Sequence, residues 1–345
     1  MNPIQVLIPD APAHGDIASY LVSIDRNKRH SNNGPLNAFL ERRLAEALGV
    51  KPENVCTVAN ATLGLELAVR ALGVTGCIVP AFTFPATVTA IVRSGGRPAF
   101  QDVHRTSWCM RVPEVIGFAA MPVCAFGAAL NWKTWDAYSR REEAPVIIDA
   151  AAAFGNQEIG ALREEGVCAV FSMHATKALP AGEGGFVVGH ERLINRVRRK
   201  SNFGLDDGVC ADIHSTNAKL SEYHAAVALA SLDRWDETSA KRCKAAEWYA
   251  NDLPPRVTQQ NRPADDVRTI MPVLLPKRVS PAMVGDRLDT LGIETRRWYC
   301  PPMATGDQLP VTEEIASRLI CLPFHTQLTR ADVRRICSSL ARVLR

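Results

Sequence analysis

One lysine, Lys177, lies in the stretch FSMHATKALPAGEGG, after a short apolar run and just before a cluster of glycines. A lysine in such a loop is most often exposed to solvent. A lysine that is partly withdrawn from water has a lowered pKa, however, and can act as a nucleophile or exchange protons near neutral pH. Lys177 is therefore a candidate for chemistry if other functional groups lie beside it.

Three such groups fall at predicted strand ends or helix starts. Asp149 ends the apolar run PVIID, Ser172 ends VCAVFS, and Asn60, Ala61 and Thr62 form a turn before a helix. In open α/β sheets, ligands bind at the carboxyl ends of the strands, and the free N–H groups of a helix start favour a phosphate. Each of these residues also has an ordinary structural interpretation as a helix cap or turn residue.

Taken together, a lysine, a carboxylate and a phosphate cradle suit pyridoxal 5'-phosphate (PLP). The lysine forms the Schiff base, the carboxylate keeps the pyridine nitrogen protonated, and the helix start holds the phosphate. The glycines of AGEGG do not form a dinucleotide-binding loop, because the pattern is incomplete and an apolar, strand-like run follows it instead of a helix.

The elements that would position these groups alternate between strands and helices. Short apolar runs without in/out alternation predict buried parallel strands, and an α/β fold with a mostly parallel sheet flanked by helices. The stretch before Gly49 predicts a helix that this glycine caps. Its apolar residues lie at helical spacing: Leu36, Phe39, Leu40, Leu44 and Leu48.

After Lys219 the pattern changes. The stretch LSEYHAAVALASLDRWDETSAKRCKAAEWYANDL predicts one long helix, and the polar, proline-containing PPRVTQQNRPADD follows it. A strand over TIMPVLLP and two further helices predict a small α+β domain. We predict an N-terminal arm at 1–33, a large cofactor-binding domain at 34–245 and a small C-terminal domain at 246–345.

Composition narrows the class of protein. The 345 residues are 47% hydrophobic and 22% charged, with a net charge of +4, which is an ordinary globular profile. No secretory signal pattern or membrane span is found, so we expect a cytoplasmic protein. The ten cysteines and eight histidines show no metal-binding spacing, and we expect no metal. The spread of charge argues against nucleic acid as a partner.

The chain resembles the DegT/DnrJ/EryC1/StrS aminotransferases, which are sugar aminotransferases of the fold-type-I PLP class. The resemblance extends from about Gly34 to the C-terminus. It rests on seven stretches in family order: GPLNAFLERRLAEALGV, ANATLGLELAVRAL, VPAFTFPATVTAIVRSGGRPAFQDV, VIIDAAAAFG, SMHATKALPAGEGG, TNAKLSEYHAAVALASLD and CLPFHTQLT.

The resemblance implies a role for individual residues. Lys177 would be the Schiff-base lysine and proton carrier, and Asp149 would pair with the pyridinium nitrogen. Phe84 would stack on the ring, and Asn217 would reach the phosphate from the partner subunit of a homodimer. The remaining phosphate ligands would be Ala61, Thr62 and Ser172.

Two positions depart from the family pattern. Three residues after the aspartate the family usually has Gln or His, whereas this chain has Ala152, which cannot hydrogen-bond the ring oxygen. The phosphate turn reads N-A-T instead of S-G-T. The side chain of Ala61 limits how closely the backbone can approach the phosphate, whereas a glycine would not. Members that act as dehydratases replace the lysine with histidine, and Lys177 argues against that route.

The resemblance also implies the reaction. We expect a ping-pong transamination from L-glutamate to a keto group of a nucleotide-linked keto-deoxysugar. The G-E-G-G form of the loop, with His174, favours amination at C4 over C3. Candidate substrate-binding residues are Lys219, Arg296, Arg297, Tyr299 and His325. Two alternatives remain open: an aminotransferase for a cyclitol or other ketone without a nucleotide, and a non-catalytic PLP-binding sensor.

Overall fold

Short apolar runs form the strands of this protein, and longer runs with helical periodicity pack against them. The structure is a computed structural model that describes residues 3–114, 117–206, 209–210, 212 and 214–345. Its helices are α1 (His14–Asn27), α2 (Pro35–Leu48), α3 (Ala61–Ala71), α4 (Pro85–Arg93), α5 (Trp132–Glu142), α6 (Glu191–Ser201), α7 (Glu222–Asp233), α8 (Trp235–Asp252), α9 (Pro281–Asp289), α10 (Pro310–Arg318) and α11 (Arg330–Val343).

The strands form one large sheet, one small sheet and one isolated pair. They are β1 (Val55–Val58), β2 (Gly76–Pro80), β3 (Arg97–Gln101), β4 (Ala119–Ala120), β5 (Val146–Asp149), β6 (Val167–Ser172), β7 (Gly185–Val188), β8 (Leu205–Asp206), β9 (Val209–Cys210), β10 (Thr258–Gln259), β11 (Met271–Leu274) and β12 (Leu319–Leu322).

The large sheet has the order β1-β7-β6-β5-β4-β2-β3. Strands β3, β2, β4, β5 and β6 run parallel, whereas β7 is antiparallel to both β6 and β1. Every residue of β5, β6 and β7 is buried, which explains why these runs lack in/out alternation. The predicted α/β architecture is confirmed.

The C-terminal part contains the antiparallel sheet β10-β11-β12. Its core contains Val273 and Leu322 from this sheet, Val284 from α9 and Ile336 from α11. This arrangement agrees with the small α+β domain predicted for this part of the chain.

The start of helix α2 is completed by a residue far away in sequence, at the start of α7. Gly49 adopts a left-handed conformation with φ 66°, as predicted for its C-terminal cap. At the other end the backbone amides of Leu36 and Asn37 donate to the carboxylate of Glu222 at 2.8 and 2.9 Å. Glu222 is 1% exposed, so it satisfies two helix-start donors inside the protein.

The prediction of one long helix after Lys219 is wrong in one respect. The segment divides into α7 and α8 at Arg234, whose backbone leaves helical geometry with φ −99° and ψ 6°. Arg234 pairs there with Asp10 of the N-terminal segment, and the neighbouring Trp235 ring packs edge-on against Phe154 at 4.7 Å. These tertiary contacts redirect the chain.

The N-terminal arm is more structured than the sequence suggested, because it contains the 14-residue helix α1. Ile4 packs into the core of the small sheet, and Ile24 packs into the core of the large one. The predicted boundary at residue 245 falls inside α8, whose Ala245 and Ala246 belong to the small-sheet core. The division at 33 and 245 stays a prediction.

Candidate active site

Asp149 is held at the carboxyl end of β5, where the edge of the sheet opens into a cavity. It is 5% exposed. Its Oδ2 accepts a 2.7 Å hydrogen bond from the Thr87 hydroxyl, and its Oδ1 accepts one of 3.1 Å from the Ala151 amide. Burial raises the pKa of Asp149, and these two donors and the charge of Lys177 oppose the rise.

Lys177 reaches the same cavity from the loop between β6 and β7. Backbone hydrogen bonds fold this loop tightly: the Lys177 amide donates to His174 at 2.9 Å, and the Ala181 amide donates to Met173 at 2.7 Å. Burial lowers the pKa of Lys177, while the carboxylate of Asp149 opposes the change. A larger fraction of this amine is therefore uncharged near neutral pH than of an exposed lysine.

The start of α3 provides the anion-binding part of the cavity. Asn60 caps the helix, its side chain accepting from the Leu63 amide at 2.9 Å. The amides of Ala61 and Thr62 belong to the first turn and have no partner within the helix, so they favour a negative group. Gly185 of β7 lies so close that a Cβ there would be 2.7 Å from the Ala61 nitrogen.

One cavity of about 620 Å³ joins these groups. Phe84, directly before α4, is 49% exposed and forms part of its wall. Seven of the predicted site residues line this cavity: Ala61, Thr62, Phe84, Asp149, Ser172, Lys177 and Tyr299. Ala152, which departs from the family pattern, also lines this cavity. The strand-end argument therefore brought together residues that are far apart in sequence.

Five other predicted residues do not line the cavity: Asn217, Lys219, Arg296, Arg297 and His325. The Arg297 guanidinium instead donates to the backbone carbonyls of Leu319 and Ala316. The Lys219 ammonium donates to Asn217 at 2.7 Å and lies 4.7 Å from the centre of the Phe203 ring. Arg296 is partly exposed and pairs with Glu294 at 2.6 Å. His325 is 5% exposed, and burial lowers its pKa.

Sequence reasoning missed two residues that organise the site. Thr87 fixes the carboxylate of Asp149, and nothing in the sequence signals this contact between residues 62 positions apart. Gly185 allows β7 to approach the start of α3. Gly185 belongs to the glycine cluster that follows Lys177. A glycine is required at this position because a Cβ would collide with the start of α3.

The side chains present fit PLP. A buried carboxylate that lacks a full cationic partner suits a protonated pyridine nitrogen, and a lysine with a lowered pKa suits the aldehyde. The first turn of α3 suits the phosphate, with Ser172 at the end of β6 beside it. Asp149, Lys177, Ala61, Thr62 and Ser172 would hold the cofactor.

Among the described residues, no group of three or more His, Cys, Asp or Glu side chains could hold a metal ion. None of the helices formed by these residues is long and apolar enough to cross a membrane.

Comparison with known proteins places this geometry in context. Residues 13–341 match the DegT/DnrJ/EryC1/StrS aminotransferase family. The chain is 30% identical to dTDP-4-amino-4,6-dideoxy-D-glucose transaminase of Shigella dysenteriae, with 99% of each chain covered. It is 28% identical to UDP-2-acetamido-2-deoxy-3-oxo-D-glucuronate aminotransferase of Pseudomonas aeruginosa, with 92% of this chain and 94% of the relative covered.

A solved structure has the same fold as this chain. The crystal structure of DesI in the presence of its TDP-sugar product superposes with a TM-score of 0.88 at 28% identity. The match covers 100% of this chain and 94% of DesI. The similarity therefore includes both the large sheet and the small C-terminal sheet.

Proposed function

The chain belongs to the DegT/DnrJ/EryC1/StrS family of PLP-dependent aminotransferases, and we propose that it moves an amino group from L-glutamate to a nucleotide-linked keto-deoxysugar. We propose C4 of the sugar as the position aminated. The observation that carries the proposal is the convergence of Lys177, Asp149 and the start of α3 on one cavity.

Lys177 has the properties that amino transfer requires of its base. PLP, when bound, accepts the electron pair that remains as the α-proton of the amino donor leaves. The Lys177 amine would hold the cofactor and, as a free amine, would carry that proton between the two carbons. Its lowered pKa favours both roles near neutral pH.

Asp149 orients and balances the charge of the cofactor ring. Its carboxylate is held by Thr87 and the Ala151 amide, so it need not reorganise when a cation arrives. A protonated ring nitrogen would supply the positive partner that this buried carboxylate lacks, and Asp149 would keep the proton there.

The preference for C4 rests on the lysine loop, because the two relatives differ in the sugar position that their names give. His174 and Glu183 both line the cavity, with Nε2 of His174 3.6 Å from Oε1 of Glu183. The Shigella relative is named for a 4-amino sugar, whereas the Pseudomonas relative is named for a 3-oxo sugar. Glu183, the acidic residue of the G-E-G-G loop, lines the cavity, and we propose that it contacts the acceptor sugar there.

A direct comparison of acceptors tests the proposed position. The holoenzyme is supplied with L-glutamate and equal amounts of a 4-keto and a 3-keto nucleotide sugar, and 2-oxoglutarate and each amino sugar are quantified. We expect the 4-amino product to dominate. Turnover of the 3-keto compound alone would overturn the choice of C4 and leave the nucleotide-sugar class intact.

Two other functions are compatible with a PLP cavity. An aminotransferase for a cyclitol or other free ketone would turn over a keto-cyclitol and ignore the nucleotide sugars. A non-catalytic sensor would bind PLP but release no 2-oxoglutarate with any acceptor. The same assay, extended with a keto-cyclitol, separates both from the proposed function.

We further propose a homodimer in which Asn217 acts in the partner's cavity. Within its own subunit Asn217 lies outside the cavity lining. The nearby segment around β8 and β9 exposes three apolar side chains: Phe203, which precedes β8, Leu205 of β8 and Val209 of β9. An exposed apolar patch of this kind suits burial against a second copy of the chain.

Hybrid dimers test this arrangement. Lys177→Ala and Asn217→Ala variants are each expected to be nearly inactive as homodimers. A hybrid of the two contains one intact cavity if Asn217 acts across the dimer, so mixing after dissociation should restore up to about half of the wild-type activity per hybrid. No recovery in verified hybrids would place Asn217 in its own subunit's cavity.

Lys219, Arg296 and His325 remain proposed contacts for the nucleotide diphosphate. Lys219 is the strongest of the three, because it lies beside Asn217 and would reach the partner's cavity with it. Lys219→Ala should raise KM for the nucleotide sugar while leaving the reaction with L-glutamate unchanged. An unchanged KM in a normally folded variant would remove Lys219 from the substrate site.

A further inference from the structure

PLP presents four polar features, and the cavity accounts for three of them. Asp149 would pair with the ring nitrogen, Lys177 would bind the aldehyde carbon, and the start of α3 would hold the phosphate. The ring hydroxyl oxygen also needs a polar partner, because an unpaired polar atom in a closed site is costly. Ala152, which lines this part of the cavity, offers only a methyl group.

Two other polar side chains of the cavity lining are unsuitable partners for that oxygen. Cys124 lines the cavity, but its thiol already donates to Oε1 of Gln157 at 3.3 Å. Thr269 also lines the cavity, but its hydroxyl oxygen is fully buried and so is not presented to a ligand.

Tyr299 has the required position. Its ring stacks on Phe126 with centroids 4.5 Å apart, and it meets the edge of Phe82 at 5.3 Å. The residue after Phe126 is Gly127, where a Cβ would collide with the carbonyl oxygen of Ala152. The segment formed by Phe126 and Gly127, on which the Tyr299 ring stacks, therefore lies directly beside Ala152.

The backbone of Tyr299 indicates that this position is imposed by its surroundings. Tyr299 has φ 60°, a left-handed conformation that is uncommon for a residue with a bulky side chain. Packing against Phe82 and Phe126 holds the ring in the cavity lining, close enough to Asp149 for the charge of that carboxylate to act on the phenol. Such strain is often found at ligand sites.

We propose that the Tyr299 hydroxyl donates a hydrogen bond to the ring hydroxyl oxygen of PLP and so provides the contact that Ala152 cannot make. This assigns the phenol to the cofactor, although the sequence placed Tyr299 with the sugar. The inference rests on PLP binding alone and is independent of which acceptor the enzyme uses.

The charged and titratable groups around Tyr299 favour the donor role. Burial, and then the negative charge of Asp149, raise the pKa of Tyr299 above its ordinary value, so the phenol keeps its proton at neutral pH. The Phe126 amide donates a hydrogen bond to the phenol oxygen, which leaves the phenol's own proton available to a ligand, and the thiols of Cys109 and Cys321 lie nearby. Burial raises the pKa of these thiols to about 11 and about 12, so neither ionises near neutrality.

Absorbance of the bound cofactor tests the proposal. With PLP bound through Lys177, a donor on the ring oxygen would stabilise negative charge on that oxygen. The Lys177 nitrogen beside it would then be less basic. Tyr299→Phe keeps the ring packing but removes the donor. We expect the pH midpoint of the cofactor's absorbance change to rise by about one unit, and PLP to dissociate about tenfold more readily.

Two further variants make the result specific. Ala152→Gln introduces an amide donor on the same wall, and in the Tyr299→Phe background it should return the midpoint toward that of the wild type. Tyr223→Phe removes an exposed phenol on α7 and should leave the midpoint unchanged. An unchanged midpoint in Tyr299→Phe, or a shift that Ala152→Gln fails to reverse, would overturn the proposal.

Discussion

The Thr87 hydroxyl donates a 2.7 Å hydrogen bond to Oδ2 of Asp149, joining the first turn of α4 to the end of β5. The second carboxylate oxygen accepts from the Ala151 amide. With both oxygens engaged, the carboxylate has a defined orientation before any ligand arrives. Thr87 is therefore a positioning residue for the proposed partner of the ring nitrogen.

Thr87→Val should weaken PLP binding by about threefold to tenfold, because a hydrogen bond to a charged group is worth about 1.5–3 kcal/mol and part of it is replaced by water. The loss also removes one interaction that lowers the pKa of Asp149, so that pKa should rise further. Fluorescence titration with PLP measures the affinity. Thr134→Val on the exposed face of α5 is the matched control, and equal affinities in both variants would contradict the role of Thr87.

Asp149→Asn should stabilise the cofactor-free protein while weakening PLP binding by at least about tenfold. The raised pKa means that the folded protein holds this proton more tightly than the unfolded chain does. Stability is therefore lost as the pH rises from the ordinary carboxyl value of 3.8 through the raised value.

Thermal unfolding of the cofactor-free proteins from acidic to neutral pH checks this sign. The asparagine variant should melt at a higher temperature than the wild type near neutrality, and the difference should shrink toward acidic pH. An asparagine variant that melts below the wild type near neutrality would mean instead that Asp149 stabilises the fold as a carboxylate.

Lys177→Ala should reduce the reaction with L-glutamate by about a thousandfold or more, since both the attachment point and the proton carrier are lost. Borohydride treatment followed by mass spectrometry should find no PLP attached to the variant. Lys133→Ala, which removes an exposed lysine of α5, should behave as wild type. PLP still attached at another residue of the Lys177 variant would disprove the assignment.

Gly185→Ala should destabilise the protein by about 2 kcal/mol or more, because the new Cβ would lie 2.7 Å from the Ala61 nitrogen. The displaced helix start should also bind inorganic phosphate and PLP more weakly. Gly76→Ala is a suitable comparison, since its Cβ would meet only the Phe118 ring at an ordinary 3.7 Å. Chemical denaturation should therefore separate the two alanine variants.

Glu222→Gln should cost about 1.5–3 kcal/mol, because one of the two amides at the start of α2 would face an NH₂ group inside the protein. Glu237→Gln breaks an exposed pair with Lys241 on α8 and should have no measurable effect. If urea midpoints of the two variants coincide, the cap formed by Glu222 is not important for stability.

Local sequence determined the strands and the chemistry at their ends. The runs before Asp149 and Ser172 are apolar throughout, so they can be recognised from the sequence alone as buried strands. Because the carboxyl ends of parallel strands meet at one edge, Asp149 and the Lys177 loop could be placed in one site. The helix start at Ala61 followed from its polar turn.

Other features depend on contacts that no local pattern encodes. Helix α1 buries only Ile24 fully, so it carries little apolar periodicity by which to predict it. The break at Arg234 interrupts a stretch whose residues are all compatible with a helix, and it arises where Arg234 meets Asp10.

The fine geometry of the cavity was likewise decided by tertiary structure. The Thr87–Asp149 hydrogen bond and the packing of Tyr299 on Phe126 join segments 62 and 173 positions apart. Sequence alone determined which residue types are available at the strand ends. Only the folded chain decided which of them touch, because burial and close packing select among many contacts that local preference leaves equally open.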